Sequence, residues 1–318
     1  MTGFTGNIRK IIMPDTTASR VAKHVKKFWE LYLLLTLPVV YFIIFCYVPM
    51  TGVLIAFQNY SIRRGVLGSD WVGLYHFIDF MTSPLFPELL RNTALLSLYS
   101  LVLGFPVPII FALFLNETGN KYFKKTVQMV TYAPHFISTV VVVGIIMQFL
   151  HLRNGFINNF ITLLGGKPIN FFGVASLFRP IYVLSGIWQN IGYSSIVYIA
   201  ALSSIDQSMT EAAHIDGVSR LQRVLFIDLP SIMPTIITLL ILQLGNVLSV
   251  GFEKAFLLQN PLNLAYSEII STFVYKRGLQ NVQYSFATAV GLFNSVINLI
   301  FIAGANALAR RFSDTSLW

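Results

Sequence analysis

The chain has 318 residues, of which 55% are hydrophobic and only 11% charged, with a mean hydropathy of +0.68 and a formal net charge of +9. Soluble domains carry about 25% charged residues, so this composition excludes an ordinary soluble fold and points to an all-α protein of the bilayer. Nucleic-acid binding is excluded as the origin of the charge, because no basic face with interleaved aromatics occurs.

The N-terminal tail, 1–28, carries Arg9, Lys10, Arg20, Lys23, Lys26 and Lys27. It is basic, lacks a cleavage-like small-residue pair and runs straight into a full-length apolar stretch, so it is expected to be a cytoplasmic tail and not a cleaved signal. Apolar stretches able to cross hydrocarbon as helices of about 20 residues follow at 31–57, 94–115, 127–150, 181–203, 232–250 and 286–309. The thirteen acidic residues avoid the middles of these stretches, where a carboxylate costs about 2.5–3.5 kcal/mol. The expected architecture is therefore six transmembrane helices over 29–310, with a short tail, 311–318. The tail basicity places both termini in the cytoplasm of a multi-pass cell-membrane protein. On that topology 13 Lys and Arg lie inside, including Lys121, Lys124, Lys125, Arg220, Arg223, Arg310 and Arg311, against 9 outside.

The connections carry the information. Outward segments 60–91 and 251–285 are long and hold charge with aromatics (Arg63, Arg64, Trp71, Tyr75; Tyr275, Lys276, Arg277), as docking loops or packed short helices would. Gly-Gly-Lys in "LLGGKP" at 163–168 lacks the first glycine and the hydroxyl residue of a phosphate loop. The single cysteine, Cys46, sits in the first span, and the five histidines lack metal-ligand spacing, so no cofactor or metal is expected in this chain. The spans hold no chain of buried ionisable groups for proton coupling, so uphill transport would draw its energy from another subunit.

Inside the spans, uncharged polar and aromatic side chains gather: Trp188, Gln189, Asn190 and Tyr193 in the fourth, Gln243 and Asn246 in the fifth, Asn294 and Asn298 in the sixth. Such groups can line a path for a polar, uncharged solute by hydrogen bonding and ring stacking. Each amide can equally serve as interhelical glue worth about 0.6–2 kcal/mol.

Segment 204–231 is the most patterned. Ser208-x-x-Glu211 spells a capping box, Ala212 and Ala213 extend a helix, and Gly217 supplies the left-handed stop. Over 218–226, Leu221, Leu225 and Phe226 have helical spacing for burial, with Arg220 and Arg223 free for solvent or headgroups. Pro230 should end the helix and Pro234 open the next. The pattern E-A-A-x-x-D-G, nine residues, I-x-L-P, carried by Glu211, Ala212, Ala213, Asp216, Gly217, Ile227, Leu229 and Pro230, resembles the signature of permease subunits in binding-protein-dependent ABC importers. The stretches at 92–117, 132–150 and 260–279 are similar to carbohydrate-uptake members, in particular the complex-oligosaccharide and polysaccharide group. The resemblance implies a type I importer fold with a cytoplasmic coupling helix. Glu211, Ala212, Ala213, Asp216, Gly217 and Arg220 would then meet an ATPase that binds ATP and magnesium. Its implied partners are a second, different permease chain, two ATPases, an extracytoplasmic solute-binding protein and an oligosaccharide, within lipid and without nucleic acid. A facilitator independent of ATP is the alternative; a membrane enzyme lacks convergent catalytic groups.

Overall fold

The computed structural model describes residues 24–246, 248–249 and 251–312. The basic residues Arg9, Lys10, Arg20 and Lys23, and tail residues 313–318, lie outside the described residues. The chain divides into two units, Met1–Leu54 and Ile55–Trp318.

The first unit holds most of α1, Trp29–Phe57. Its mean hydropathy is 2.4 and apolar side chains cover every face, the pattern of a helix whose solvent is hydrocarbon. A π turn at Ile43–Tyr47 directly precedes Pro49, whose missing N–H and bulky ring break the ordinary i to i−4 ladder.

The second unit is helical apart from a two-stranded antiparallel pair, β1 (Gln58–Asn59) with β2 (Asp70–Trp71). In chain order follow α2 (Tyr75–Thr82), α3 (Phe86–Asn116), α4 (Lys121–Tyr132), α5 (Thr139–Phe149), α6 (Phe156–Leu163) and α7 (Phe178–Ser203). Then come α8 (Gln207–Ile215), α9 (Arg220–Ser231), α10 (Met233–Leu244), α11 (Phe252–Leu258), α12 (Ile270–Tyr275) and α13 (Tyr284–Phe312). Helix α7 is the centre: Phe178, Tyr182 and Val183 pack with Leu96 and Val143, and Tyr198 and Leu202 pack with Ile109, Ala112, Ile232 and Ile236. A third cluster, Phe80, Leu89, Ile270, Phe273 and Val290, joins α2, α3, α12 and α13.

Among the described residues three helices are long and apolar enough to cross a membrane, α1, α3 and Tyr284–Arg310 of α13, or five if two bent pairs each count once. Two predicted spans thus meet a bend. The span expected at 127–150 is α4 and α5, which meet at 104°. Ala133–Phe136, with Pro134, tightens to a 3₁₀ turn, and Ser138 is extended (ψ 149°), so the chain turns at Ile137–Ser138. The span expected at 232–250 holds α10, which leaves the preceding α9 at 60°, the bend falling at Ile232. The fourth expected span is one helix, α7, of 26 residues, but Gln189, Asn190 and several serines make it too polar to count with the three.

Segment 251–285, expected to face outward, is folded into the body of the unit through α11 and α12. Ala255, Leu258, Ile269, Ile270 and Thr272 are buried there. Buried Asn92 binds this segment to α3: its amide donates to the carbonyls of Ala265 and Glu268, at 3.0 and 3.1 Å.

Candidate functional site

Two places concentrate unusual chemistry, the loop built from α8 and α9 and a polar cavity beside α7.

Helix α8 starts one residue before the expected cap. Asp206, not Ser208, sits at its N-terminus: the Ser208 amide donates to Asp206 Oδ1 at 2.9 Å. That hydrogen bonding holds the Asp206 carboxyl below the usual carboxylate range. Glu211 accepts from the Gln207 side chain at 2.9 Å and does not close a box with Ser208. The stop is as the sequence spells it. Gly217 has φ +71°, and the Val218 amide donates to the Ala213 carbonyl at 3.0 Å, the six-to-one bond of a Schellman ending. A capping box does occur, one helix later: the Ser219 amide donates to Gln222 Oε1 at 3.0 Å and the Gln222 amide to Ser219 Oγ. Its S-x-x-Q spelling is the signal that sequence reading passed over.

Beyond it the helix runs through Pro230, contrary to expectation. A π turn at Val224–Asp228 shifts the ladder ahead of the ring, and the break falls at Ile232. Pro234 opens α10, as predicted. Leu221, Leu225 and Phe226, expected to be buried, are exposed at 69%, 48% and 75%. Arg223, expected to be free, forms ion pairs with Glu117 at the end of α3 and, at 3.7 Å, with buried Asp228. The loop therefore presents Glu211, Ala212, Asp216, Gly217 and Arg220, flanked by apolar Ile215, Leu221 and Phe226, whereas Ala213 turns inward.

The cavity holds about 430 Å³ between α3, α7 and α10. Its walls include Ser100, Tyr182, Asn190, Tyr193, Ser194 and Gln243, and an adjoining recess of about 200 Å³ adds Ser97, Asn246 and Ser249. Asn190, Tyr193, Gln243 and Asn246 are thus brought together as the sequence suggested. His135, which sequence reading set aside, joins them: its ring stacks on Tyr193 with centroids 3.7 Å apart, and its Nδ1 lies 2.9 Å from Asn190 Oδ1. Because the Asn190 amide nitrogen donates to the Gly186 carbonyl, Oδ1 is the acceptor and His135 Nδ1 is assigned the proton.

The other predicted residues lie elsewhere. Trp188 points to an apolar groove with Phe149, Phe171 and Leu184, on a different face of α7. The Gln189 amide donates to the Ile137 carbonyl at 3.3 Å and steadies the α4–α5 bend. Asn294 borders none of the described cavities, and its buried Oδ1 has no hydrogen-bond partner. Asn298 ties α13 to the chain after α10, accepting from the Leu248 amide at 3.0 Å and donating to Ser249 Oγ. It is glue.

Two buried cations were not foreseen. Arg179 is 9% exposed and donates to Asn92 Oδ1 at 2.8 Å. Lys254, 8% exposed, donates to the Tyr182 carbonyl at 2.8 Å, and burial pushes its ammonium down to about 8.

The family model for binding-protein-dependent transport system inner membrane components matches residues 93–314. The chain is 45% identical over 288 residues to the polygalacturonan/rhamnogalacturonan transport system permease protein YteP of Bacillus subtilis (strain 168), covering 91% of this chain and 90% of that one. It is equally identical to protein LplB of the same organism, with 91% of each chain covered. Its fold matches a bacterial ABC transporter involved in import of the acidic polysaccharide alginate, with TM-score 0.85 and 41% identity over 92% of this chain and 99% of that one. It also matches the bacterial alginate ABC transporter in complex with an alginate pentasaccharide-bound periplasmic protein, with TM-score 0.87 and 40% identity over 94% and 100%.

Proposed function

Since the chain belongs to the family of binding-protein-dependent transport system inner membrane components, we propose that it is the permease subunit through which an ATP-driven importer takes up oligosaccharides. The observation that carries this reading is the α8–α9 loop. A short exposed helix, stopped by a left-handed glycine and rimmed by exposed Ile215, Leu221 and Phe226, offers a defined docking face in a chain that binds no nucleotide by motif.

In the full assembly this chain pairs with a second, different permease. Each takes six crossings, with α4–α5 as a bent span, α7 as the polar one and α10 re-entering the membrane after the 60° bend that ends the α8–α9 loop, and both termini face the cytoplasm. Two ATPase subunits grip the coupling loops through Glu211, Ala212, Asp216, Gly217 and Arg220. A solute-binding protein delivers substrate on the opposite face, docking on the outward segments 60–91 and 251–285. ATP binding draws the ATPases together, the loops follow as levers, and the bundle alternates its opening. Sugar hydroxyls exchange hydrogen bonds with Asn190, Gln243 and Asn246 along the cavity, and Tyr193 offers a ring face.

A C-terminally tagged chain, extracted gently from native membranes, is expected to co-purify with a second permease and a P-loop ATPase. The Gly217→Asp chain keeps the permease and loses the ATPase, because the side chain strains the left-handed position and adds charge at the contact. Recovery of the tagged chain alone, with solute flux indifferent to ATP, would overturn the reading in favour of a facilitator. Within the assembled transporter, Asn190→Ala and Gln243→Ala should each lower uptake about 3- to 10-fold, the equivalent of one lost hydrogen bond. Trp188→Ala, facing the apolar groove, should leave uptake near wild type; saccharide uptake kinetics in liposomes check both.

A further inference from the structure

Lys254 is a charged group in a place that charge avoids. Its α11 neighbours Ala255 and Leu258 are fully buried, and the lysine itself is 8% exposed. Among the described residues it has no carboxylate within ion-pair distance; its partners are the Tyr182 carbonyl and the Tyr182 ring, whose centroid lies 4.8 Å from Nζ. One hydrogen bond leaves two of its three N–H donors unused. A buried, unpaired ammonium is costly, so its retention beside the cavity calls for a function.

Its position supplies the function. A Cβ built on Gly186 would lie 3.2 Å from Lys254 Nζ, so the ammonium occupies the space left by that missing side chain. Gly186 and Tyr182, the two residues it touches, both line the polar cavity. No Asp, Glu, Lys or Arg lines the cavity or its recess, so the field there is set from behind the wall. Arg179, one turn before Tyr182 on α7, is a second buried cation that, among the described residues, has no ion pair, and its buried Nε has no hydrogen-bond partner. A positive charge so placed favours a negatively charged solute in the cavity.

We infer that Lys254 is a specificity-determining residue of the translocation cavity, selecting saccharides that bear carboxylates by giving their charge the partner the protein withholds. The inference rests on the permease reading above and goes beyond it by naming the charge class of the cargo and the group that reads it. Gly186 is part of the device, since any side chain there would crowd the ammonium.

The test uses the complete transporter, with partner permease, ATPases and solute-binding protein, in liposomes. The probes are galacturonate and alginate pentasaccharides, each as free acid and as methyl ester, which keep length and stereochemistry but differ in charge. The same binding protein serves every variant, so ratios to wild type report on this chain. Lys254→Met is expected to lower kcat/KM for the free acids at least about tenfold, to keep that for the esters near wild type, and to leave assembly and basal ATPase unchanged. Lys254→Arg, which keeps the charge, should retain acid uptake. Equal losses on acids and esters, or loss shared by Lys254→Arg, would show a packing role and overturn the inference; so would undiminished acid uptake by Lys254→Met. If esters are carried by neither chain, the Met and Arg variants decide on the acids alone. Absence of ATP-dependent uptake of the free acids by a wild-type complex that still holds its second permease and ATPase would overturn this inference, whereas recovery of the tagged chain alone, with flux indifferent to ATP, would remove the permease reading beneath it.

Discussion

A Gly192→Val chain is expected to fail at assembly, giving little extractable transporter and a sharply lowered Tm for what remains. Helices α4 and α7 pack tightly at this glycine: a Cβ there would lie 2.5 Å from the carbonyl carbon of Thr131 and 2.8 Å from its Oγ1. The clashing atoms are largely backbone, so no rotamer change relieves them and the helices must separate. Overpacking of this kind costs about 1–3 kcal/mol or more. In lipid, where small residues permit the close approach that holds helices together, the loss of packing adds to it. The approach also supports the α4–α5 bend, since Gln189, three residues away on α7, donates to Ile137. Gly144→Ala on α5 is the control, because a Cβ there meets nothing within 4 Å. Thermal unfolding of the purified complexes measures the difference, and a Gly192→Val complex as stable as the control would refute the packing argument.

The second large effect is expected at Arg223, which links the α9 half of the loop to the end of α3. Its guanidinium bridges Glu117 and Asp228, with side-chain exposures of 20% for Arg223, 18% for Glu117 and 4% for Asp228. Arg223→Gln leaves two largely buried carboxylates facing each other. Breaking one partner of such a site costs about 3–5 kcal/mol, because the remaining charge is desolvated and unpaired. The variant should therefore lose stability, and any complex that forms should hydrolyse ATP with much reduced uptake, since the loop no longer pulls on α3. Adding Glu117→Gln removes one orphaned charge and should restore part of the stability, so the two substitutions are non-additive. Strict additivity in a thermal-unfolding cycle would mean that the pair does not bear on the loop.

The α8–α9 loop was partly legible, and its errors are instructive. Gly217 was readable because a left-handed stop depends on one residue's freedom and on neighbours within six positions. Pro234 was readable for the same local reason. The N-terminus of α8 was misassigned because Asp206 and Ser208 both spell a cap, and only the backbone path selects between them. Pro230 was read as a stop because a π turn, which lets a helix pass a proline, leaves no composition signature. The burial of Leu221, Leu225 and Phe226 was inferred from periodicity, which reports an apolar face but not whether this chain or another covers it.

The cavity shows the same division. Polar residues in apolar helices announced themselves, yet Trp188 and Asn190, two positions apart on α7, look to different surroundings because successive helical residues turn by about 100°. His135 comes beside Asn190 from 55 residues away, and Lys254 beside Tyr182 from 72, with no local spelling for either. By itself the sequence determined the solvent of this protein, the long apolar helices α1, α3 and α13, and the patterned stop of the α8–α9 loop, since each follows from summed hydropathy or from residues a few positions apart. The tertiary structure alone decided where helices bend, which face of α7 borders the polar cavity, and which buried charges stand alone. Those outcomes depend on contacts between distant segments: Gly192 and Gln189 against α4 and its bend, Arg223 against Glu117, and Lys254 against the bare side of Gly186.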